Sequence, residues 1–201
     1  MNFFTSDMHL GHVNVLRLCN RPFKTESGMA STIRNNHNSI VTDKDDVWDL
    51  GDVGYRCSAE YLVSQLEQFK GRRHILFGNH DKPLRDAFKK GLLNDMLKDK
   101  KIDFIGFPDP HKYPDLILNH RMSLIQQINI NGQEIIISHY AQRTWNKAFR
   151  GSWHLFGHSH TNLKGIYKSM DVGVDGHNFT PWSFEEIKCH MENIKEEFSE
   201  D

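Results

Sequence analysis

The chain has 201 residues, 38% hydrophobic and 25% charged, with a net charge of -1 at neutral pH. That length suits one compact domain with a sizeable core, and the balance is that of a folded chain, not a disordered one. A charge this near zero excludes the broad basic field that holds nucleic acid non-specifically, while leaving a locally bound nucleotide open. Cys19, Cys57 and Cys189 are an odd, widely spaced set without C-x-x-C, which reads as reduced thiols and not a disulfide framework. The start, MNFFTSDMHL, lacks a basic segment followed by an apolar core, and no apolar run is long enough to cross a bilayer. A cytoplasmic protein with no membrane partner is expected. The 13 histidines exceed what packing requires.

Asn2 to Ser6 is a short β-favouring run that stops at Asp7-Met8-His9, with Gly11, His12 and Asn14 in the loop beyond. Met29, Ile33, His37 and Ile40 recur at helical spacing, and His37 on the apolar face reads as a packed, hydrogen-bonded histidine. Asp46 to Leu50 is a second strand, ending at Gly51-Asp52. Ser58 is placed to cap a helix carrying Leu62, Leu66 and Phe69, which Gly71 closes. Arg73 to Phe77 is a third strand, ending at Gly78-Asn79-His80-Asp81. Pro83 opens a helix with Phe88, Leu92 and Met96 on one side and a solvated row of lysines.

Ile102 to Arg121 contains Pro108, Pro110 and Pro114 and reads as the least regular segment. A hairpin follows: Ser123 to Ile130, an Asn131-Gly132 turn, then Gln133 to Ser138 leading into His139. Trp153 to Phe156 is apolar and ends at Gly157-His158-Ser159-His160, and Gly165 to Val174 reads as a last pair of short strands. Ser183 and Glu186 form a capping box for a final helix with Ile187, Met191, Ile194 and Phe198, before a frayed acidic end at Glu196 to Asp201. Without a repeat or linker, residues 1–201 read as a single domain.

Five apolar strands thus each end in a polar cluster: Asp7/His9, Asp52, Asn79/His80, His139 and His158/His160. Ligand sites of open α/β sheets gather beyond the carboxyl ends of strands, where loops from separate strands converge. The expected class is therefore α/β with mixed α and β elements. The ordered series D-x-H, G-D, G-N-H-D, S-H and G-H-S-H, spanning residues 7 to 160, resembles the calcineurin-like metallophosphoesterase family. The stretch FFTSDMHLGHVNVLRLCNRPF and the later DVGVD resemble a small bacterial and phage branch of it.

The resemblance implies a four-layer α-β-β-α sandwich with a dinuclear metal site at the strand ends. Asp7, His9 and His160 would hold one metal; Asn79, His139 and His158 would hold the other, with Asp52 bridging. A carboxylate can share its oxygens between two cations, and nitrogen and oxygen ligands without thiolate suit two divalent ions: Mn²⁺ first, with Fe, Zn²⁺ or Ni²⁺ as alternatives. Such a pair, about 3.5–4 Å apart, can generate hydroxide at neutral pH. The implied activity is hydrolysis of a phosphate ester, as phosphodiesterase or phosphatase, with Asp52 and His80 catalytic and His80 assisting the leaving group.

Two positions depart from the wider family. Tyr55 stands where G-D-x-x-D-R carries a second Asp, so the usual partner of the catalytic histidine is missing, while Arg56 remains as a phosphate clamp. His12 lies beside the ligand loop as a substrate or supporting contact. Asn38, Arg143, Asp171 and Asp175 are further supporting candidates, and Asp81 is placed either to orient His80 or to cap a helix. The expected partner is a small phosphate ester or nucleotide; long nucleic acid is disfavoured without a basic, aromatic-studded stripe. The competing reading is a catalytically silent, metal-stabilised binding module, which would be expected to lack His80 or some ligands.

Overall fold

The computed structural model describes residues 1–105 and 125–194. In chain order they form β1 (Asn2–Thr5), α1 (Val15–Leu18), α2 (Glu26–Ile40), β2 (Asp46–Asp49), α3 (Ala59–Leu66), β3 (Arg72–Ile75), α4 (Lys82–Lys89), α5 (Asn94–Lys98) and β4 (Ile102–Phe104). After residue 124 come β5 (Ile125–Ile130), β6 (Gln133–Ser138), β7 (Trp153–Phe156), β8 (Ser169–Asp171), β9 (Trp182–Ser183) and α6 (Phe184–Glu192). The class is mixed α/β, with two sheets. One has the order β4-β3-β2-β1-β9, parallel except for β9; the other has the order β5-β6-β7-β8. In the second sheet the β5–β6 hairpin is antiparallel, and β6, β7 and β8 run parallel.

Alternation along the strands sets the layers. Ile75 and Phe77 face a core filled by Met29 and Ile33 of α2, Leu62 and Leu66 of α3, and Leu84 and Phe88 of α4. Phe4, Leu50 and Leu76 face the other way, onto Ile135, Ile137, Leu155 and Met170 of the second sheet. Each such side chain contributes about 1.5–3 kcal/mol when fully buried. A one-residue slip of β6 would take Ile135 and Ile137 out of the layer between the sheets and turn Glu134 into it, so the register is strongly specified. On the second sheet's outer face, Ile136 meets Trp145 and Ala148, the latter in a 3-10 turn, Ala148–Arg150. Among the described residues that turn and loops cover this face, while α6 buries Phe184, Ile187 and Met191 between the sheets.

Local chemistry explains most boundaries. Thr25 and Ser58 accept backbone N–H groups at the starts of α2 and α3, and Ser183 with Glu186 closes the expected capping box on α6. His37 is buried, with Nε2 2.9 Å from the Lys70 carbonyl, as its position on the apolar face suggested. The helix expected from Pro83 through Met96 is instead two: the chain turns at Gly91 (φ +71°), and Leu92 is 38% exposed. The pair of strands expected over Gly165 to Val174 is one, β8. Its approach is a turn in which the Ser169 hydroxyl donates to the Ile166 carbonyl at 2.7 Å. Ile102–Phe104, expected to be irregular, pairs with β3. The expected irregularity from 106 to Arg121, the hairpin's start at Ser123, Phe198 and the frayed end lie outside the described residues. No helix among the described residues is long and apolar enough to cross a membrane.

Candidate metal centre

The loops that leave β1, β2, β3, β6 and β7 meet at one end of the two sheets and are stitched together through the backbone. Asp7 N–H donates to the Gly51 carbonyl and His9 N–H to the Asp52 carbonyl, each at 2.9 Å. Gly157 N–H donates to the His139 carbonyl at 3.0 Å, and His158 N–H to Asp7 Oδ2 at 2.8 Å. His80 N–H donates to Asp52 Oδ1 at 2.8 Å. Glycine is required at two of these crossings. A Cβ on Gly157 would lie 2.1 Å from Ser6 Oγ and 2.5 Å from Asp7 Oδ2, and one on Gly78 would lie 2.2 Å from Asp52 Oδ1.

The backbone at the expected ligands is itself unusual. Asp7 (φ 59°), His9 (53°), Asp52 (54°), His158 (66°) and His160 (47°) all adopt the left-handed region. Side chains other than glycine reach it rarely, and such residues cluster where the surrounding structure enforces them for function.

Two triads result, Asp7/His9/His160 and Asp52/His139/His158, and within each one the donor atoms lie within 4.8 Å of one another. His9 Nε2 is 3.9 Å from Asp7 Oδ1, and His160 Nε2 is 4.0 Å from the same oxygen. Asp52 Oδ2 is 3.5 Å from both His9 Nε2 and His139 Nε2, so one carboxylate oxygen faces both triads. Asp7 Oδ1 and both ring nitrogens of His9 are buried without a hydrogen-bond partner. Buried polar atoms normally have one; Asp7 Oδ1, His9 Nε2 and His160 Nε2 lie close together instead, a donor set into which a cation fits.

The ring orientations agree with that geometry. His139, fully buried, has Nδ1 2.9 Å from the Leu50 carbonyl, which can only accept; Nδ1 therefore carries a proton and Nε2 is the nitrogen turned toward Asp52 and Asn79. Asn79 Oδ1 lies 3.0 Å from that Nε2, completing the expected place of Asn79 beside the second triad. Burial pushes the Asp7 carboxyl up to about 6 and the His9 imidazole well below its usual range. Burial also opposes charge on His139, yet its contact with Asp52 and the charges of Asp7 and Asp52 prevail and raise it to about 9. Asp52 is correspondingly held below the usual carboxylate range: burial opposes this, but the His139 contact and the charges of His139 and His9 outweigh it.

The other expected residues divide by location. The half-buried His80 ring packs against Tyr55 with centroids 4.1 Å apart and lies 5.7 Å from His9. His12 is buried, edge-on to Tyr55 at 4.7 Å and 5.5 Å from His9, and its Nδ1 has no hydrogen-bond partner. Burial, then the Arg56 charge, lowers its basicity. The exposed Arg56 lies over the Tyr55 ring at 5.3 Å. Asn38 instead ties α2 to the end of α3, through the Gln68 carbonyl and Lys70 N–H. Arg143 lines a cavity with Gln142, Phe156 and Leu163. Asp171 accepts from Ser159 Oγ, Thr161 N–H and Gly173 N–H, shaping the loop that carries His160.

Asp81 plays neither of the roles expected of it. Its carboxylate accepts from the N–H groups of Asp52, Val53 and Gly78, each at 2.8 Å, and caps no helix with its side chain. It therefore holds two ligand loops in register. Burial and the Asp52 charge push its pKa up to about 7, making it a weaker acid than an ordinary carboxyl. Arg21 and Tyr140 escaped the sequence reading. Arg21 is buried against Asp175, and the Tyr140 hydroxyl donates to Asn79 Oδ1 at 3.2 Å with its ring 4.5 Å from that of His158. The one signal for Tyr140 was its place beside His139, and for Arg21 its place near the end of the stretch FFTSDMHLGHVNVLRLCNRPF.

No family model matches the chain. An uncharacterized protein of Methanocaldococcus jannaschii is 27% identical over 201 residues, covering 96% of this chain and 92% of that protein. The Gene 66 protein of Mycobacterium phage D29 is 25% identical over 210 residues, covering 96% and 97%. Its namesake in Mycobacterium phage L5 is 34% identical over 92 residues, 43% of this chain and 44% of that one. Among solved structures, a protein of unknown function from Aquifex aeolicus superposes with a TM-score of 0.64 at 21% identity, over 94% of this chain and 98% of its own; that likeness is one of fold.

Proposed function

We propose that this protein is a metal-dependent phosphoesterase holding two divalent cations. The observation that carries the reading is Asp52 Oδ2, 3.5 Å from a ring nitrogen of each triad, beside Asp7 Oδ1 and the His9 ring nitrogens, which are buried without a hydrogen-bond partner. Asp7, His9 and His160 would hold one ion, Asn79, His139 and His158 the other, and Asp52 both. Neither triad contains a cysteine, and a nitrogen and oxygen donor set suits Mn²⁺ first, then Fe, Zn²⁺ or Ni²⁺. Two such ions supply, when bound, a water acidified to neutral pH and positive charge for phosphoryl oxygens. The motif series and the two face-to-face sheets with helices outside the first support membership of the calcineurin-like metallophosphoesterases and their four-layer sandwich.

The chain's own groups have separable tasks. His80 has its backbone anchored on Asp52 and its ring half-buried beside the triads; it donates a proton to the departing oxygen. Tyr55 takes the place of the family's second carboxylate, so packing against its ring orients His80. His12 and Arg56 flank the same ring and supply positive or donor groups to the substrate's remaining phosphoryl oxygens. A small phosphodiester or nucleotide suits this rim; a monoester is the second substrate class.

The test is hydrolysis of an aryl phosphomonoester and the matching bis-aryl phosphodiester by Mn²⁺-loaded protein, with and without chelator. Chelator-sensitive turnover of at least one ester is expected. Turnover of neither, with metal content verified, overturns the enzymatic reading.

A further inference from the structure

The imidazoles of the two triads differ in what holds their far side. His139 Nδ1 faces the neutral Leu50 carbonyl, whereas His160 Nδ1 faces the Asp175 carboxylate at 2.7 Å. Asp175 is in turn gripped by Arg21, whose Nε reaches Oδ1 and whose Nη2 reaches Oδ2, both at 2.7 Å. The same guanidinium donates through Nη2 to the Asp7 carbonyl at 2.7 Å and through Nη1 to the Met8 carbonyl at 3.0 Å. Its remaining donor points at Met29 Sδ at 3.1 Å, so all five N–H groups of a fully buried side chain are engaged. One residue thus fixes two ligands of the same triad: Asp7 through its backbone, and His160 through Asp175.

We propose that Arg21 and Asp175 are positioning residues that set the affinity of the cation position formed by Asp7, His9 and His160. The inference rests on the two-cation reading above. A carboxylate can only accept, so Asp175 forces the proton onto His160 Nδ1 and turns the Nε2 lone pair toward Asp7 Oδ1, 4.0 Å away. An amide at 175 can donate to Nδ1 instead, which drives the proton to Nε2 and blocks that lone pair. The anion also raises the ring's donor strength, which the Leu50 carbonyl does less for His139. A lysine at 21 supplies the charge as a single point and loses the planar fork that joins Asp175 to the Asp7–Met8 turn.

The experiment compares the wild-type chain with Asp175→Asn and Arg21→Lys by Mn²⁺ titration calorimetry and metal counting, after folding of the metal-free proteins is checked. In addition, ¹⁵N imidazole spectra of the metal-free proteins, recorded at a pH high enough for the ring to be neutral, report the His160 tautomer, which a merely structural role would leave unchanged. Wild type is expected to bind two ions and to show His160 protonated on Nδ1. In each variant one Kd rises about 10- to 100-fold while the other stays within about twofold. In Asp175→Asn, the Nδ1-protonated form loses its dominance. Folded variants with two unchanged Kd values, or with both weakened equally, overturn the inference while leaving the two-cation reading standing. Should Asp175→Asn not fold without metal, Arg21→Lys decides by the same criterion. A wild-type chain that takes up no Mn²⁺ at millimolar concentration overturns both.

Discussion

Replacing His154 with Gln isolates one source of acid sensitivity. His154 lies on β7 with no solvent exposure. Its Nδ1 faces the Ile136 carbonyl at 3.0 Å, and its Nε2 accepts from Gln142 N–H, also at 3.0 Å. The ring is therefore neutral and protonated on Nδ1, and a second proton would place N–H against N–H. Burial lowers its basicity from 6.5 to about 4, even though the Ile136 hydrogen bond acts in the opposite direction. Below 6.5 the unfolded chain takes up a proton that the folded chain refuses until about 4; the unfolded state binds more protons, and stability falls as pH falls through that window. The full penalty is about 3 kcal/mol, of which about 2 kcal/mol is present by about pH 5. Urea denaturation of the metal-free wild type and variant, at neutral pH and at about pH 5, reads the difference directly. The wild type should lose about 2 kcal/mol more than the variant between the two conditions. Equal losses would refute the assignment of a neutral, locked imidazole.

Three further substitutions probe the candidate centre. His80→Ala should keep its metal while turnover falls about 10²–10⁴-fold; loss of metal in the same preparation would show that His80 is structural instead. Gly157→Ala drives a methyl into Ser6 and Asp7, so Mn²⁺ uptake should drop and stability fall by about 1–3 kcal/mol. Normal uptake by calorimetry would contradict so close an approach of Gly157 to Ser6 and Asp7. Asp81→Leu leaves the N–H groups of Asp52, Val53 and Gly78 without their acceptor. It is expected to cost about 2–4 kcal/mol in urea unfolding and to weaken Mn²⁺ binding, and a variant that binds both ions normally would show that the loops hold their register without it.

What could be read from sequence was what depends on neighbours along the chain. The Asn131-Gly132 turn, the Ser183–Glu186 capping box and the apolar runs that became β1, β2, β3, β6 and β7 are all local signals, and each has its counterpart in the fold. The elements that were missed are too short to show a period: α1 has four residues, β4 three and β9 two. They are fixed by pairing or packing against partners distant in sequence, as β9 is by β1. The break at Gly91 was hidden for a different reason. Phe88 and Met96 do both enter the core, so the apolar spacing continues across a turn that leaves Leu92 outside.

The same distinction divides the candidate centre. Its triads were visible as spacings, D-x-H and H-x-H, and the structure gives those spacings a physical reason. In Asp7-Met8-His9 the outer residues take left-handed backbone and turn toward the triads, while Met8 is buried in the helix-side core. In His158-Ser159-His160 the middle hydroxyl is tied to Asp171 instead. An anchored middle residue lets both neighbours turn toward the candidate centre, Asp7 and His9 to one triad, His158 and His160 to different ones. Asp81, Asp171 and Asp175 stood out as supporting candidates, but which group each one holds left no local trace. Arg21 and Asp175 are 154 residues apart, and Asp81 serves N–H groups up to 29 residues away. Which acid backs which ligand is settled by how the sheets bring the loops together. What each positioning residue holds becomes readable once the fold is in hand, whereas the candidate ligands stand out before it.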